Sequence, residues 1–269
     1  LMSNKTIKYL KDYTPTDYLV DKITLIFTIN IDQTVQVESA TTYYKNPLTN
    51  SRYLVLDGSA QLVEIKLDDK LLAANEYSLS NDQLIPHNLP DKFKLSITTI
   101  LYPFDNETCM GLFASGGNLI TQCEPEGFRK ITYYPDRPDI LATFSTIILN
   151  KNPKFTTFLS NGNHIGNVPT NPEDEIIHRV VWHDPFKKPC YLFALVAGDL
   201  ECVEDSFITQ SGRHVALRIY VEQGNLDNIP EFEVSKAKIQ EGIHVYELLQ
   251  ITGLVESNGE GKRLIRGGG

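Results

Sequence analysis

The sequence predicts a mostly β protein whose first part folds as a β sandwich or a saddle-like sheet. Three observations carry that expectation. Apolar residues alternate with period two over the first hundred residues, turn residues separate the runs at short intervals, and helical spacing emerges only after Gln223-Gly224-Asn225.

The first run places Ile23, Leu25, Phe27, Ile29 and Ile31 on one face, with Thr24, Thr28 and Asn30 mainly on the other, the pattern of a half-buried strand. Shorter runs follow at Val35 and Val37, Tyr53 to Leu56, Val63-Ile65-Leu67 and Phe93-Leu95-Ile97. Asn46-Pro47, Asp57-Gly58, Asp68-Asp69 and Asn81-Asp82 supply the turns between them. Residues 103–140 break the rhythm and read as a long irregular excursion, of the kind that carries function in compact domains. Strands resume at Ala142 to Ile148, Phe155 to Leu159, Arg179 to Trp182 and Cys190 to Val196. Two more, near Phe207 and from Val215 to Val221, are joined by Ser211-Gly212. A helix is expected through Ser235, Ile239, Ile243 and Tyr246, weakened by Gly242 and capped by Gly253. The Gly-rich stretch from Ser257 to Gly269 reads as a flexible tail. Leu1 ahead of Met2 reads as a cropped boundary.

Composition narrows the function classes. The formal net charge is −9, from 25 Lys and Arg against 34 Asp and Glu, which disfavours a nucleic-acid partner because phosphate binding relies on clustered cations. No apolar run approaches the roughly 20 residues of a membrane span, and Leu1-Met2-Ser3-Asn4-Lys5 lacks the apolar core of a signal peptide, so no membrane partner is expected. Cys109, Cys123, Cys190 and Cys202 are far apart, form no C-x-x-C and read as buried free thiols of a cytoplasmic protein.

No self-sufficient catalytic constellation is present. The six histidines, His87, His164, His178, His183, His214 and His244, include no H-E-x-x-H, in which two imidazoles one helical turn apart share a metal. G-x-S-x-G, the phosphate loop and G-x-G-x-x-G are also missing. No catalytic residue and no metal ligand is therefore assigned.

The informative stretch runs from Thr121 to Asp139, T-Q-C-E-P-E-G-F-R-K-I-T-Y-Y-P-D-R-P-D. Gln122, Glu124 and Glu126 would point to one side if the chain were extended there, and three acceptors on one face can receive the hydrogens of an ammonium group. The alternative is a solvated acidic loop in which Arg129 or Arg137 pairs one of the glutamates.

This stretch resembles the signature T-Q-C-E-x-E-G-F-R-x-I-T-Y-x-x-D-R-P-D of the bacterial aminopeptidase N family, zinc metalloaminopeptidases with G-A-M-E-N and H-E-x-x-H motifs. Further matches follow in the same order: Phe158 to Asn163, Trp182 to Phe186, Lys188 to Asp199, Ser211-Gly212-Arg213 and Gly224 to Asp227. The similarity extends from about residue 7 to about residue 228. It implies an N-terminal saddle-like β-sandwich domain over residues 1–202. Residues 203–269 would be the truncated β/α start of a thermolysin-like catalytic domain, with a divergent Gly-rich end. It also implies that Gln122 and Glu124 bind the α-amino group of a peptide substrate, while zinc and the general base belong to catalytic-domain sequence that this chain lacks. Pro125 stands where the family more usually has a small residue, and it should stiffen the loop.

The expected function is thus the anchoring part of a zinc aminopeptidase. The chain alone is expected to bind no zinc and to cleave no peptide; its partners would be a peptide N-terminus and the missing catalytic domain. The alternative is a non-catalytic β module that binds a peptide or protein partner. Val215, Leu217, Ile219 and Ile243 would remain uncovered without the rest of a catalytic domain, so association of the chain with itself is also expected.

Overall fold

The structure, a computed structural model, describes residues 9–80, 82–167, 175–228 and 232–266. Leu1 to Lys5 and Asn81, to which parts of the sequence reading refer, lie outside these residues. The chain divides into two compact units, Leu1–Leu200 and Glu201–Gly269.

Strands β1 (Tyr18–Ile29), β2 (Val35–Lys45), β3 (Leu56–Asp57), β4 (Gln61–Leu67) and β5 (Lys70–Leu71) open the first unit. They are followed by β6 (Tyr77–Leu79), β7 (Gln83–Pro86), β8 (Lys92–Leu101), β9 (Gly111–Ser115) and β10 (Asn118–Gln122). Then come β11 (Ala142–Asn150), β12 (Thr157–Ser160), β13 (Asn163–Asn167), β14 (His178–Lys188) and β15 (Leu195–Gly198). Eight of these form one sheet in the order β13-β14-β11-β1-β2-β8-β4-β5, four form a second in the order β12-β15-β10-β9, and β3-β7-β6 make a small third.

The alternation in β1 works as the sequence requires: Ile23, Leu25, Phe27 and Ile29 are all buried, and the intervening threonines are half-exposed. Antiparallel partners are the rule, but β1 lies parallel to β11, with Ile23 opposite Phe144 and Phe27 opposite Ile148. Parallel pairing between two central strands needs a long connection, and here everything from β2 to β10 serves as that connection. The inner face of the large sheet meets the smaller sheet through aromatic residues. Phe193 stacks on Phe27 with centroids 5.9 Å apart, and Phe128 meets Phe193 at 5.5 Å and Phe144 at 6.0 Å, both edge-on. Leu112, Leu119, Leu195 and Ala197 of the smaller sheet join the same core.

Several expectations are corrected. Ile31 lies beyond the end of β1 and is exposed, because the strand turns after Ile29. The run from Tyr53 to Leu56 contributes only β3. Residues 103–140 are not wholly irregular, since β9 and β10 form a hairpin across Gly116 and Gly117, both at positive φ.

The second unit holds the hairpin β16 (Leu200–Ile208) and β17 (His214–Glu222), turned at Ser211-Gly212 as the sequence indicates. The expected single helix is two short ones, α1 (Lys236–Gln240) and α2 (Val245–Ile251), interrupted at Gly242 with φ 90°. Ser235 caps α1 by accepting from the Lys238 N–H, and Gly253, at φ 67°, follows the end of α2. Of the tail expected to be flexible, Asn258–Arg266 form α3, and Gly267 to Gly269 lie outside the described residues. Gly261 of α3 is buried against Tyr246, where an added Cβ would lie 3.0 Å from the tyrosine Cβ. The glycine there serves close packing of α3 on α2. No helix among the described residues is long and apolar enough to cross a membrane.

Candidate functional site

The loop bearing Gln122 and Glu124 springs from the end of β10. That strand is held on both sides, by β9 and by β15, and the Thr121 hydroxyl adds a clasp. It accepts from the Leu195 N–H at 2.8 Å and donates to the Leu195 carbonyl at 3.3 Å. Gln122 thus sits at the fixed end of an interior strand, which suits a residue that must present a polar group at a set place.

Beyond Gln122 the chain curls. The Gly127 N–H donates to the Cys123 carbonyl at 2.9 Å, Glu126 takes a left-handed φ of 66°, and the Glu124–Pro125 peptide is cis. A Cβ on Gly127 would stand 2.2 Å from the Gln122 carbonyl oxygen and 2.7 Å from the Cys123 Cα, so only glycine lets the loop close on itself. Phe128 then enters the core at 0% exposure and fastens the loop's far end.

The curl corrects the extended geometry expected for this stretch. Glu126 does not join Gln122 and Glu124 as a third free acceptor, because its carboxylate lies 3.4 Å from the Arg129 Nη2. The Gln122 side chain is tied to the backbone of Glu124: its amide nitrogen donates to the Glu124 main-chain carbonyl at 2.8 Å. The Gln122 Oε1 has no hydrogen-bond partner among the described residues and is left to accept. The Glu124 side chain is exposed and has no ion-pair partner among the described residues. The two loop glutamates therefore differ: one is engaged by a guanidinium and the other is open.

Arg129 is held by Asp136, which is buried. Arg129 Nε donates to Asp136 Oδ2 at 2.9 Å, Nη2 donates to the Asp136 carbonyl at 3.3 Å, and the Arg129 backbone N–H reaches Oδ2 at 3.2 Å. The Cys190 thiol donates to the other oxygen at 3.1 Å. A buried carboxylate left unpaired costs several kcal/mol, and these donors satisfy it. Burial alone would lower the Arg129 pKa, but the Asp136 hydrogen bond and charge outweigh it and raise the value above normal. Arg137, the other candidate partner for the glutamates, forks onto Asp139 at 2.8 and 2.6 Å. The sequence offers Arg129 as a partner for a loop glutamate, three positions after Glu126, but gives no sign of the buried Asp136 that holds it.

All four cysteines are free, but only Cys123 and Cys190 are buried, whereas Cys109 and Cys202 are exposed. Burial pushes the Cys123 thiol up to about 12, and burial beside Asp136 also raises Cys190. Neither is poised as a nucleophile.

A zinc ion does not fit the described residues. The sequence has no H-E-x-x-H. Among the described residues, no group of three His, Cys, Asp or Glu side chains could hold a metal. His183 is bonded to the Ser145 hydroxyl at 3.0 Å, and His178 faces the Asn150 amide.

The Peptidase M1 N-terminal domain matches residues 21–192. The chain belongs to the M1 peptidase family. Aminopeptidase N of Escherichia coli K12 is 41% identical over 223 residues, covering 83% of this chain and 25% of that protein. Aminopeptidase A of Legionella pneumophila, solved in complex with aspartic acid, superposes with a TM-score of 0.75 at 35% identity, over 82% of this chain and 26% of that one. An M1 zinc metallopeptidase of Deinococcus radiodurans, solved with a Tyr-Ser-Ala substrate, shares the fold alone, with a TM-score of 0.63 at 15% identity over 82% of this chain and 50% of that one. The chain thus spans about a quarter of the length of its bacterial aminopeptidase N relative. Its β-rich architecture is that of the N-terminal domain of M1 peptidases, and the family relatives include zinc enzymes.

Proposed function

We propose that this chain is the substrate-anchoring part of an M1 zinc aminopeptidase, with Gln122 and Glu124 receiving the α-amino group of a peptide. The observation that carries this reading is the inequality of the loop carboxylates: Glu126 is engaged by Arg129, while Glu124 is open beside a Gln122 whose oxygen is free to accept. An open carboxylate and an amide oxygen at the end of a fixed strand match the hydrogens of an ammonium group in charge and in donor count. A peptide blocked at its N-terminus offers no such charge, so the same pair would favour substrates with a free amine.

Hydrolysis would fall to catalytic-domain residues that this sequence does not contain, since it has neither G-A-M-E-N nor H-E-x-x-H. Residues 1–202 would form the anchoring domain and residues 203–269 the start of the catalytic domain, in a protein of the cytoplasm. The 269-residue chain by itself is expected to release no N-terminal residue from peptide amides, with or without zinc; zinc-dependent release by the pure chain would refute this.

The anchor is tested by nuclear magnetic resonance titration of the chain with alanyl-alanine amide and its N-acetyl form. An exposed ion pair contributes only about 0–1 kcal/mol, so weak binding is expected. The expected result is shifts of the Gln122, Cys123 and Glu124 amides with the free amine alone, lost in Glu124→Gln. Equal shifts with the acetylated peptide would overturn the assignment.

A further inference from the structure

We infer that Arg129 is a specificity-determining residue: it decides which of the loop's two glutamates is available to an ammonium group. This rests on the reading of Gln122 and Glu124 as the anchor and adds to it the residue that makes Glu124, and not Glu126, the receiving carboxylate.

The loop places two glutamates of identical chemistry two positions apart, both exposed, so neither side-chain chemistry nor exposure chooses between them. Position is what separates them. Glu126 lies on the turn that closes at Gly127, with a left-handed φ that few non-glycine residues adopt, and the turn brings its carboxylate within 3.4 Å of the Arg129 Nη2. The ion pair by itself would contribute little, because the Glu126 side chain is 69% exposed. Its effect depends on Arg129 being immobile. The guanidinium is locked by Nε and Nη2 hydrogen bonds to the buried Asp136 and its carbonyl, and it is only 28% exposed. A planar guanidinium already fixed through Nε and Nη2 has little rotamer freedom left to lose when the same Nη2 meets a further carboxylate. The same Nη2 stands 3.9 Å from Asp57, so one cation serves three carboxylates, and Glu124 is not among them. An incoming ammonium at Glu126 would have to share that carboxylate with a cation already in place. At Glu124 it meets an unshared negative charge.

The choice of carboxylate can be read without any ligand, by modifying carboxyl groups with a carbodiimide and glycine ethyl ester and locating the label by mass spectrometry. In the native chain Glu124 should label several-fold faster than Glu126, and in Arg129→Gln the ratio should fall towards one. Arg129→Lys, which keeps the charge but not the fork, should give an intermediate ratio and carries the test if Arg129→Gln does not fold. Equal labelling in the native chain, or a ratio unchanged in a folded Arg129 variant, would overturn the inference. A second arm uses alanyl-alanine amide: Glu124→Gln should abolish the amine-dependent shifts in the native background but not in Arg129→Gln, where Glu126 is released. A residue that merely stabilised the loop would weaken binding without changing which glutamate matters, and that result would also overturn it. Absence of all amine-dependent shifts with the labelling pattern intact would refute the anchor while leaving the sorting by Arg129 standing.

Discussion

Strands β1 and β17 carry the same alternation of apolar residues and end in opposite environments. In β1, Ile23, Leu25, Phe27 and Ile29 are all buried at 1% exposure or less; in β17, Leu217 and Ile219 remain 44% and 51% exposed. The difference is in neighbours. β1 has β2 on one side and β11 on the other, and Phe193 packs over its inner face. β17 pairs only with β16, whose Val203, Phe207 and Ile208 are exposed as well. Alternation specifies that a strand has an apolar face, and the free energy of burial appears only where a second layer covers that face.

This contrast can be broken most forcefully at Phe128. Its ring lies between Tyr134, Phe144 and Phe193. Phe128→Ala should destabilise the first unit by about 3–5 kcal/mol, whereas Leu217→Ala should stay within about 0.5 kcal/mol. Urea unfolding followed by circular dichroism measures both, and comparable losses would show that the hairpin is as well packed as the core. The thiols draw the boundary by reactivity. Iodoacetamide should alkylate Cys109 and Cys202 in the native chain and spare Cys123 and Cys190 until it unfolds, because burial both shields the latter and disfavours their thiolates. Native labelling at all four would contradict the burial of Cys123 and Cys190.

Uncovered apolar strands favour association. The chain should show concentration-dependent self-association in light scattering, reduced by Leu217→Lys with Ile219→Lys; a monodisperse monomer at high concentration would mean that the hairpin faces are not adhesive. The smallest effect concerns pH. The Arg137 fork, helped by the Tyr13 hydroxyl, holds Asp139 below the usual carboxylate range despite its partial burial. A carboxyl depressed in the folded state adds stability that is present above its unfolded pKa of about 3.9 and is lost as pH falls through the lower folded value. Both partners are partly solvated, so the contribution is about 0–1 kcal/mol, and Asp139→Asn should remove it near neutrality while leaving strongly acidic stability unchanged. Urea midpoints across that pH range read the effect.

What the sequence disclosed follows the same division. The long strands of the large sheet were legible because one face of each is covered and the other wet. The hairpin β9–β10 was not, since each strand has five residues and contributes a single large apolar side chain, Leu112 or Leu119, to the core. Helix α3 is hidden in the sequence because Gly259 and Gly261 suggest flexibility, whereas Gly261 permits contact with Tyr246. At the candidate site, the motif singled out Gln122 and Glu124, and the competing pairing of a glutamate by an arginine was also visible as a possibility. That both hold at once, with Glu126 taken and Glu124 open, depends on the curl at Gly127 and on the buried Asp136, neither of which leaves a periodic trace.

The parallel pairing of β1 with β11 bears on how the domain is made. Ile23 meets Phe144 about 120 residues later, and pairings so distant in sequence form slowly because a large loop must close before they contribute. During synthesis β1 must therefore wait for β11 with one edge unpaired and its phenylalanine side uncovered. A polypeptide stopped before Ala142 should be unable to complete the centre of its sheet, however well its earlier hairpins form.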